Sequence, residues 1–178
     1  WAALEDAQAA GLCRYIGVSN YDEGLLRELL ATARVLPAVN QIEFHPRYQA
    51  VQTVSFCRQH GIALMGYGNG VSLAHEAAEA IAAPRGLSAG QVTLAWTLQN
   101  GVAGVVQSRH LERMAQNLQA PDLELSETEM ETLRALGEEE PFYWDMGNVL
   151  REAPGDAAVA AGGNSESSPL KNPSGGEL

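Results

Sequence analysis

Four histidines and two cysteines are the side chains best suited to metal binding, proton transfer or thiol chemistry, and their spacing supports none of these. Cys13 and Cys57 each lie in an apolar segment, with no CxxC pair and no Cys/His cluster at metal-ligand spacing. They read as buried free thiols of a reducing compartment, and no metal site is expected. His45 precedes Pro46 without an acidic partner or second ligand at usable spacing, so its ring is expected to bond a loop. His60, His75 and His110 read as surface residues. The other candidates are polar side chains and one aromatic at the ends of apolar runs: Ser19-Asn20, Gln41 to His45, Tyr67 to Asn69, and Gln107-Ser108. Amides and hydroxyls donate and accept hydrogen bonds, and Tyr67 offers a flat ring. Taken singly, each has a plainer role: turn chemistry for Ser19-Asn20 and Asn69-Gly70, a core aromatic for Tyr67, a satisfied buried amide for Gln41.

Four short apolar runs precede these loops, at residues 12–18, 38–44, 63–67 and 102–106, and helical patterns lie between and after them. Residues 23–33 carry Leu25, Leu26, Leu29 and Leu30 at helical spacing, and residues 51–60 form a helix stopped by Gly61. Helices are also expected at 1–10, 74–83, 88–99 with Ser88 as N-cap, 111–118, and 126–136, where Ser126, Glu127 and Glu129 favour a helix start. Strand followed by helix, four times over, predicts parallel strands with helices packed outside. Both an open doubly wound sheet and a barrel satisfy that pattern, and in both the loops after the strand C-termini carry function.

At 178 residues and 46 % apolar content, one domain with a real core is expected, over residues 1–150. Residues 151–178 are rich in Ala, Gly, Ser, Pro and Glu and read as a disordered tail. The chain opens on Trp1, already in a helical pattern, so an upstream extension is expected. A net charge of −11 with no basic run argues against nucleic acid and anionic membrane surfaces as partners. The apolar stretch at 62–73 is too short and Gly-rich to span a bilayer, so a cytoplasmic protein is expected. The acidic run Glu138 to Glu140 reads as a solvated face.

Ile16-Gly17-Val18-Ser19-Asn20, the run Val39-Asn40-Gln41-Ile42-Glu43-Phe44-His45-Pro46, the Tyr67 loop, and Gln107-Ser108 with Arg113, Gln116 and Asn117 occur in a telling order. Together they resemble the aldo-keto reductases, over roughly the first 140 residues. The resemblance implies an α/β fold that is the C-terminal half of a (β/α)8 TIM barrel, strands five to eight, with residues 1–11 as the preceding helix. It implies NADP(H) as cofactor and a small-molecule carbonyl substrate reduced to an alcohol by the intact parent. The family's catalytic Asp, Tyr, Lys and His belong to the other half, so no catalytic residue is assigned here. By the same resemblance Ser19, Asn20 and Gln41 would hold the nicotinamide carboxamide and Tyr67 would stack on its ring. Gln107, Ser108, Arg113, Gln116 and Asn117 would hold the adenosine end.

Two departures stand out. Gln107 takes the place of the usual Lys against the 2′-phosphate, which leaves NAD(H) open beside NADP(H), with Arg109 a neighbouring cation. Gly68-Asn69-Gly70 replaces the usual Ser-Pro-Leu and gives the loop over the pyrophosphate more backbone freedom. Phe142, Tyr143 and Trp144 fall where the family's C-terminal loop covers the substrate pocket. The competing reading is a truncated, inactive fragment or pseudoenzyme acting at most as an interaction module, with self-association through unpaired strand edges.

Overall fold

The computed structural model describes residues 1–72, 76–138 and 141–143, so His75, Glu139, Glu140, Trp144 and the expected tail lie outside the described residues. Strands β1 (Val18–Ser19), β2 (Val39–Glu43), β3 (Ala63–Tyr67) and β4 (Ala103–Gly104) form one parallel sheet in the order β1-β2-β3-β4. Parallel neighbours need crossovers. Helices α2 (Glu23–Leu30) and α3 (Val51–Gln59) supply two of them, and α4 (Glu76–Ala82) with α5 (Ala89–Gln99) supplies the third. The order advances without reversal. That is the succession of barrel strands, whereas a doubly wound sheet reverses at a switch point. Register pairs Val18 with Asn40, Glu43 with Tyr67 and Gly66 with Gly104, which brings the C-terminal ends of all four strands to one rim.

The outer strands are shorter than their apolar runs predict. Of residues 12–18 only Val18 pairs as strand, and Leu12 and Tyr15 are 81 % and 76 % exposed, because that run lies at the sheet edge and among the described residues no strand pairs beyond it. Of residues 102–106 only Ala103 and Gly104 pair. Cys57 is buried as expected, whereas Cys13 is only partly so.

Helix ends follow local chemistry. Ser88 and Gln91 form a capping box on α5, and Ser126 with Glu129 forms another on α7 (Glu127–Arg134). The Asp22 carboxylate accepts from the Leu25 amide to start α2. Between helices and sheet lies a core of Leu26, Phe44, Val92, Trp96 and Leu133. Phe44 and Trp96 stack at 5.3 Å, and the Trp96 indole N–H reaches the Met130 carbonyl of α7 at 3.2 Å. α5 approaches β4 so closely that a Cβ on Gly104 would sit 2.3 Å from Leu94 Cδ1, which explains a glycine inside that strand. Helix α1 (Ala2–Ala9) is tied to the turn before β2 by Glu5, whose buried carboxylate accepts from the Arg34 and Val35 amides and from the Arg34 guanidinium.

Candidate functional site

Three strand ends are joined by hydrogen bonds. The chain leaves β1 through Asn20 at φ 58°, a left-handed conformation that Asn tolerates better than most residues. The Asn20 amide and the Ser19 hydroxyl both donate to the Gln41 carbonyl of β2, at 2.8 and 3.0 Å. The Tyr67 hydroxyl, at the end of β3, donates to Asn20 Oδ1 at 2.7 Å. Burial pushes the Tyr67 hydroxyl up to about 12, helped by the Glu43 carboxylate and the Tyr143 and Tyr48 phenols. It therefore stays protonated near neutrality and remains a donor. Ser19, Asn20, Gln41 and Tyr67 thus meet at one rim.

Beside this cluster opens a cavity of about 620 Å³, lined by Tyr67, Gln107, Ser108, Arg113, Gln116 and Asn117, with the loop Gly68-Asn69-Gly70, the α5 start at Ser88, Ala89 and Gly90, and Tyr143. Six of the nine expected binding residues line it; Ser19, Asn20 and Gln41 stand behind Tyr67. Helix α6 (Leu111–Gln119) contributes Arg113, Gln116 and Asn117 from one face by their i, i+3, i+4 spacing. Its Leu111, Met114 and Leu118 are exposed. Arg113 makes no ion pair among the described residues. Ser108 is also engaged locally, accepting from the His110 amide at 3.1 Å, so the turn chemistry read from sequence is present too.

Asn69 was not among the residues singled out for binding. It is buried, its Oδ1 accepts from the Thr97 hydroxyl at 2.9 Å, and among the described residues its Nδ2 has no hydrogen-bond partner. A buried donor left unpaired costs about 1–3 kcal/mol. Among the described residues the cavity lining contains Arg113 and no carboxylate, although the chain as a whole carries −11. This donor set fits a phosphate-bearing ligand. Arg113 and Tyr67 thus bring a cation and an aromatic ring to one cavity.

His45 requires a correction. Its Nε2 lies 3.0 Å from the Glu43 carboxylate, and both side chains are buried. The Tyr48 amide donates to Nδ1 at 3.2 Å, so the expected bond to a loop exists, but an acidic partner exists as well. The signal was the spacing: residues two apart in an extended segment project to the same face. Glu43 also accepts from the Phe142 and Tyr143 amides, at 2.9 and 3.2 Å. Gly68, at φ +89°, packs against this group. A Cβ there would come within 2.9 Å of His45 Cδ2 and 3.0 Å of Tyr143 Cε2. One of the two loop glycines is thus required by close packing. Among the described residues, no group of three or more His, Cys, Asp or Glu is arranged to hold a metal ion, and no helix is long and apolar enough to cross a membrane.

Parallel strands in barrel order, with a cavity at their carboxyl ends, define an α/β protein of the TIM-barrel type. The sequence model of the aldo/keto reductase family matches residues 1–70 and 68–138, and the chain belongs to that family. It is 38 % identical over 143 residues to a glyoxal reductase of Bacillus subtilis, covering 79 % of this chain and 52 % of that protein. It is 31 % identical over 166 residues to an NAD(P)H-dependent D-xylose reductase of Candida tropicalis, covering 82 % and 51 %. Among solved structures, the aldose reductase of Schistosoma japonicum superposes with a TM-score of 0.77 at 27 % identity, covering 89 % of this chain and 53 % of that one. The chain spans about half the length of the curated relatives it matches.

Proposed function

We propose that residues 1–150 are the C-terminal half of an aldo-keto reductase barrel and supply the NADP(H)-binding side of an enzyme that reduces small carbonyl compounds to alcohols. The observation that carries this reading is the cavity in which Tyr67, Asn69, Ser108, Arg113, Gln116 and Asn117 converge. When bound, the reduced nicotinamide supplies hydride. The chain's own residues bind and orient: Ser19, Asn20 and Gln41 fix the carboxamide, Tyr67 presents its ring, and Arg113 with Ser108 meets the adenosine phosphate. No proton donor for the carbonyl oxygen is assigned to this chain. NAD(H) is an alternative cofactor because Gln107 leaves the 2′-phosphate with one cation fewer. A cytoplasmic location belongs to the same reading.

The test is a titration of the purified chain with NADPH, followed by nicotinamide fluorescence. Saturable binding without turnover of aldehydes is the expected outcome. Absence of binding overturns the cofactor role, and turnover by this chain alone overturns the assignment of the chemistry to other residues. A second reading, an interaction module, is favoured by one observation: Leu12 and Tyr15 at the β1 edge, and Leu111, Met114 and Leu118 on α6, are exposed. Light scattering decides it, since a monomer at high concentration excludes self-association through these surfaces.

A further inference from the structure

The buried carboxylate of Glu43 has no part in the binding roles assigned above, yet it is among the most completely engaged side chains of the protein. It is 4 % exposed and accepts three hydrogen bonds, from His45 Nε2 at 3.0 Å and from the Phe142 and Tyr143 backbone amides at 2.9 and 3.2 Å. Two of those donors lie 99 and 100 residues away in sequence, in the segment that follows α7. Backbone amides carry no information about side-chain type. What they fix is the path of the chain, and here that path sets Tyr143 in the cavity wall, its ring 5.7 Å from that of Tyr67 at 74°. Gly68 leaves room for the arrangement, since a Cβ at that position would press on His45, Tyr143 and Glu43 together. The neighbouring tether is of another kind. Arg47 lies over the Phe142 ring at 4.2 Å and pairs with Glu138 at 2.6 Å, but both of its partners are accessible to water and salt.

We propose that Glu43 is a positioning residue: its carboxylate clamps the backbone at Phe142 and Tyr143 and so builds Tyr143 into the wall of the ligand cavity. His45 sets the clamp. Its Nδ1 accepts from the Tyr48 amide, which leaves Nε2 to carry the proton toward Glu43 and orient the carboxylate for the two amides. The clamp stands on geometry alone, whereas its consequence for binding rests on the cofactor reading given above.

The experiment has two arms. In the ligand-free protein, hydrogen exchange of the Phe142 and Tyr143 amides is compared between wild type and Glu43→Gln, which keeps the size and one acceptor oxygen, and Glu43→Ala, which removes both. Exchange at these two amides is expected to accelerate at least tenfold in Glu43→Ala and less in Glu43→Gln, with α5 amides unchanged. Unchanged exchange at both amides in a folded variant overturns the clamp. Should Glu43→Ala fail to fold, the Gln variant decides alone, with a threefold acceleration confined to the two amides as the threshold. In the second arm, NADPH affinity is measured for Glu43→Gln, Tyr143→Ala and the double variant. Glu43→Gln is expected to weaken binding at least threefold in the wild-type background and not at all in Tyr143→Ala. Equal losses in both backgrounds overturn the route through Tyr143. Wild type that does not bind NADPH overturns the cofactor reading and leaves the first arm to judge the clamp.

Discussion

The Tyr67 hydroxyl donates to the Asn20 side-chain oxygen over 2.7 Å and thereby links the ends of β3 and β1 across the intervening strand. A bond of this kind is worth about 1 kcal/mol net, and here it also holds the carboxamide of Asn20 in one orientation. Tyr67→Phe keeps the ring face and removes the bond. NADPH affinity is expected to fall about three- to tenfold in Tyr67→Phe and further in Tyr67→Ala, which also removes the face. Fluorescence titration checks this, and equal losses in the two variants would show that the ring contributes nothing.

On the proposed cofactor reading, Gln107, which lines the cavity, stands where a cation would meet the 2′-phosphate. Gln107→Lys should tighten NADPH by about tenfold, the gain of a charge-assisted contact, and leave NADH nearly unchanged. Calorimetric titration with both nucleotides measures the difference, and parallel gains would detach Gln107 from the 2′-phosphate.

Asn69 lines the cavity, and among the described residues its buried Nδ2 has no hydrogen-bond partner, while its oxygen is held by Thr97. Asn69→Asp preserves the shape and the Thr97 bond but turns the donor into an acceptor. Binding of NADPH should weaken by at least about tenfold, through a lost bond and repulsion of phosphate oxygens. Binding of 2′-AMP, which lacks the pyrophosphate, should change little. Equal losses for both ligands would place Asn69 elsewhere along the dinucleotide.

The Ser88 hydroxyl accepts from the Gln91 amide to open α5, the helix that carries Val92 and Trp96 into the core. Ser88→Ala is expected to destabilise the fold by about 1 kcal/mol, read as a lower urea midpoint with unchanged slope. A loss below a few tenths would mean that core packing holds the helix start without its cap.

Burial alone would raise the Glu5 carboxyl, but the Val35 and Arg34 amides and the Arg34 guanidinium outweigh it and hold this group below the usual carboxylate range. A lowered folded-state value means stability that is present in full above the unfolded-state value and is lost as pH falls through the folded one. The melting-temperature gap between wild type and Glu5→Gln should therefore be constant near neutrality and close below roughly pH 4. A gap independent of pH would show that Glu5 acts through packing alone.

Most of the site was legible in the sequence because its residues sit where apolar runs end. The run 38–44 predicts β2, and both Gln41 and His45 follow from its length. The edge strands were less legible. Hydrophobicity marks residues 12–18 as a strand, but of that run only Val18 enters the strand register with β2, and Ile16 adds a single bond from the Ala38 amide. Asn69 and Glu43 were missed for opposite reasons. Nothing local distinguishes an Asn in a Gly-flanked turn until Thr97 and the cavity are placed around it. Glu43 lies within hydrogen-bonding range of His45 by strand alternation, yet two of its three partners are backbone amides some hundred residues away, and backbone amides leave no trace in sequence.

Each strand pairs with the next strand in the chain, so the sheet has an order in time as well as in space. Contacts of short sequence separation close quickly, and the β1-β2-β3 unit can assemble before α5 to α7 are in place. Among the described residues, the bonds from the Phe142 and Tyr143 amides to Glu43 close the longest loop. They are accordingly expected to form last in folding, and a local opening that released them would leave the strand ladder intact.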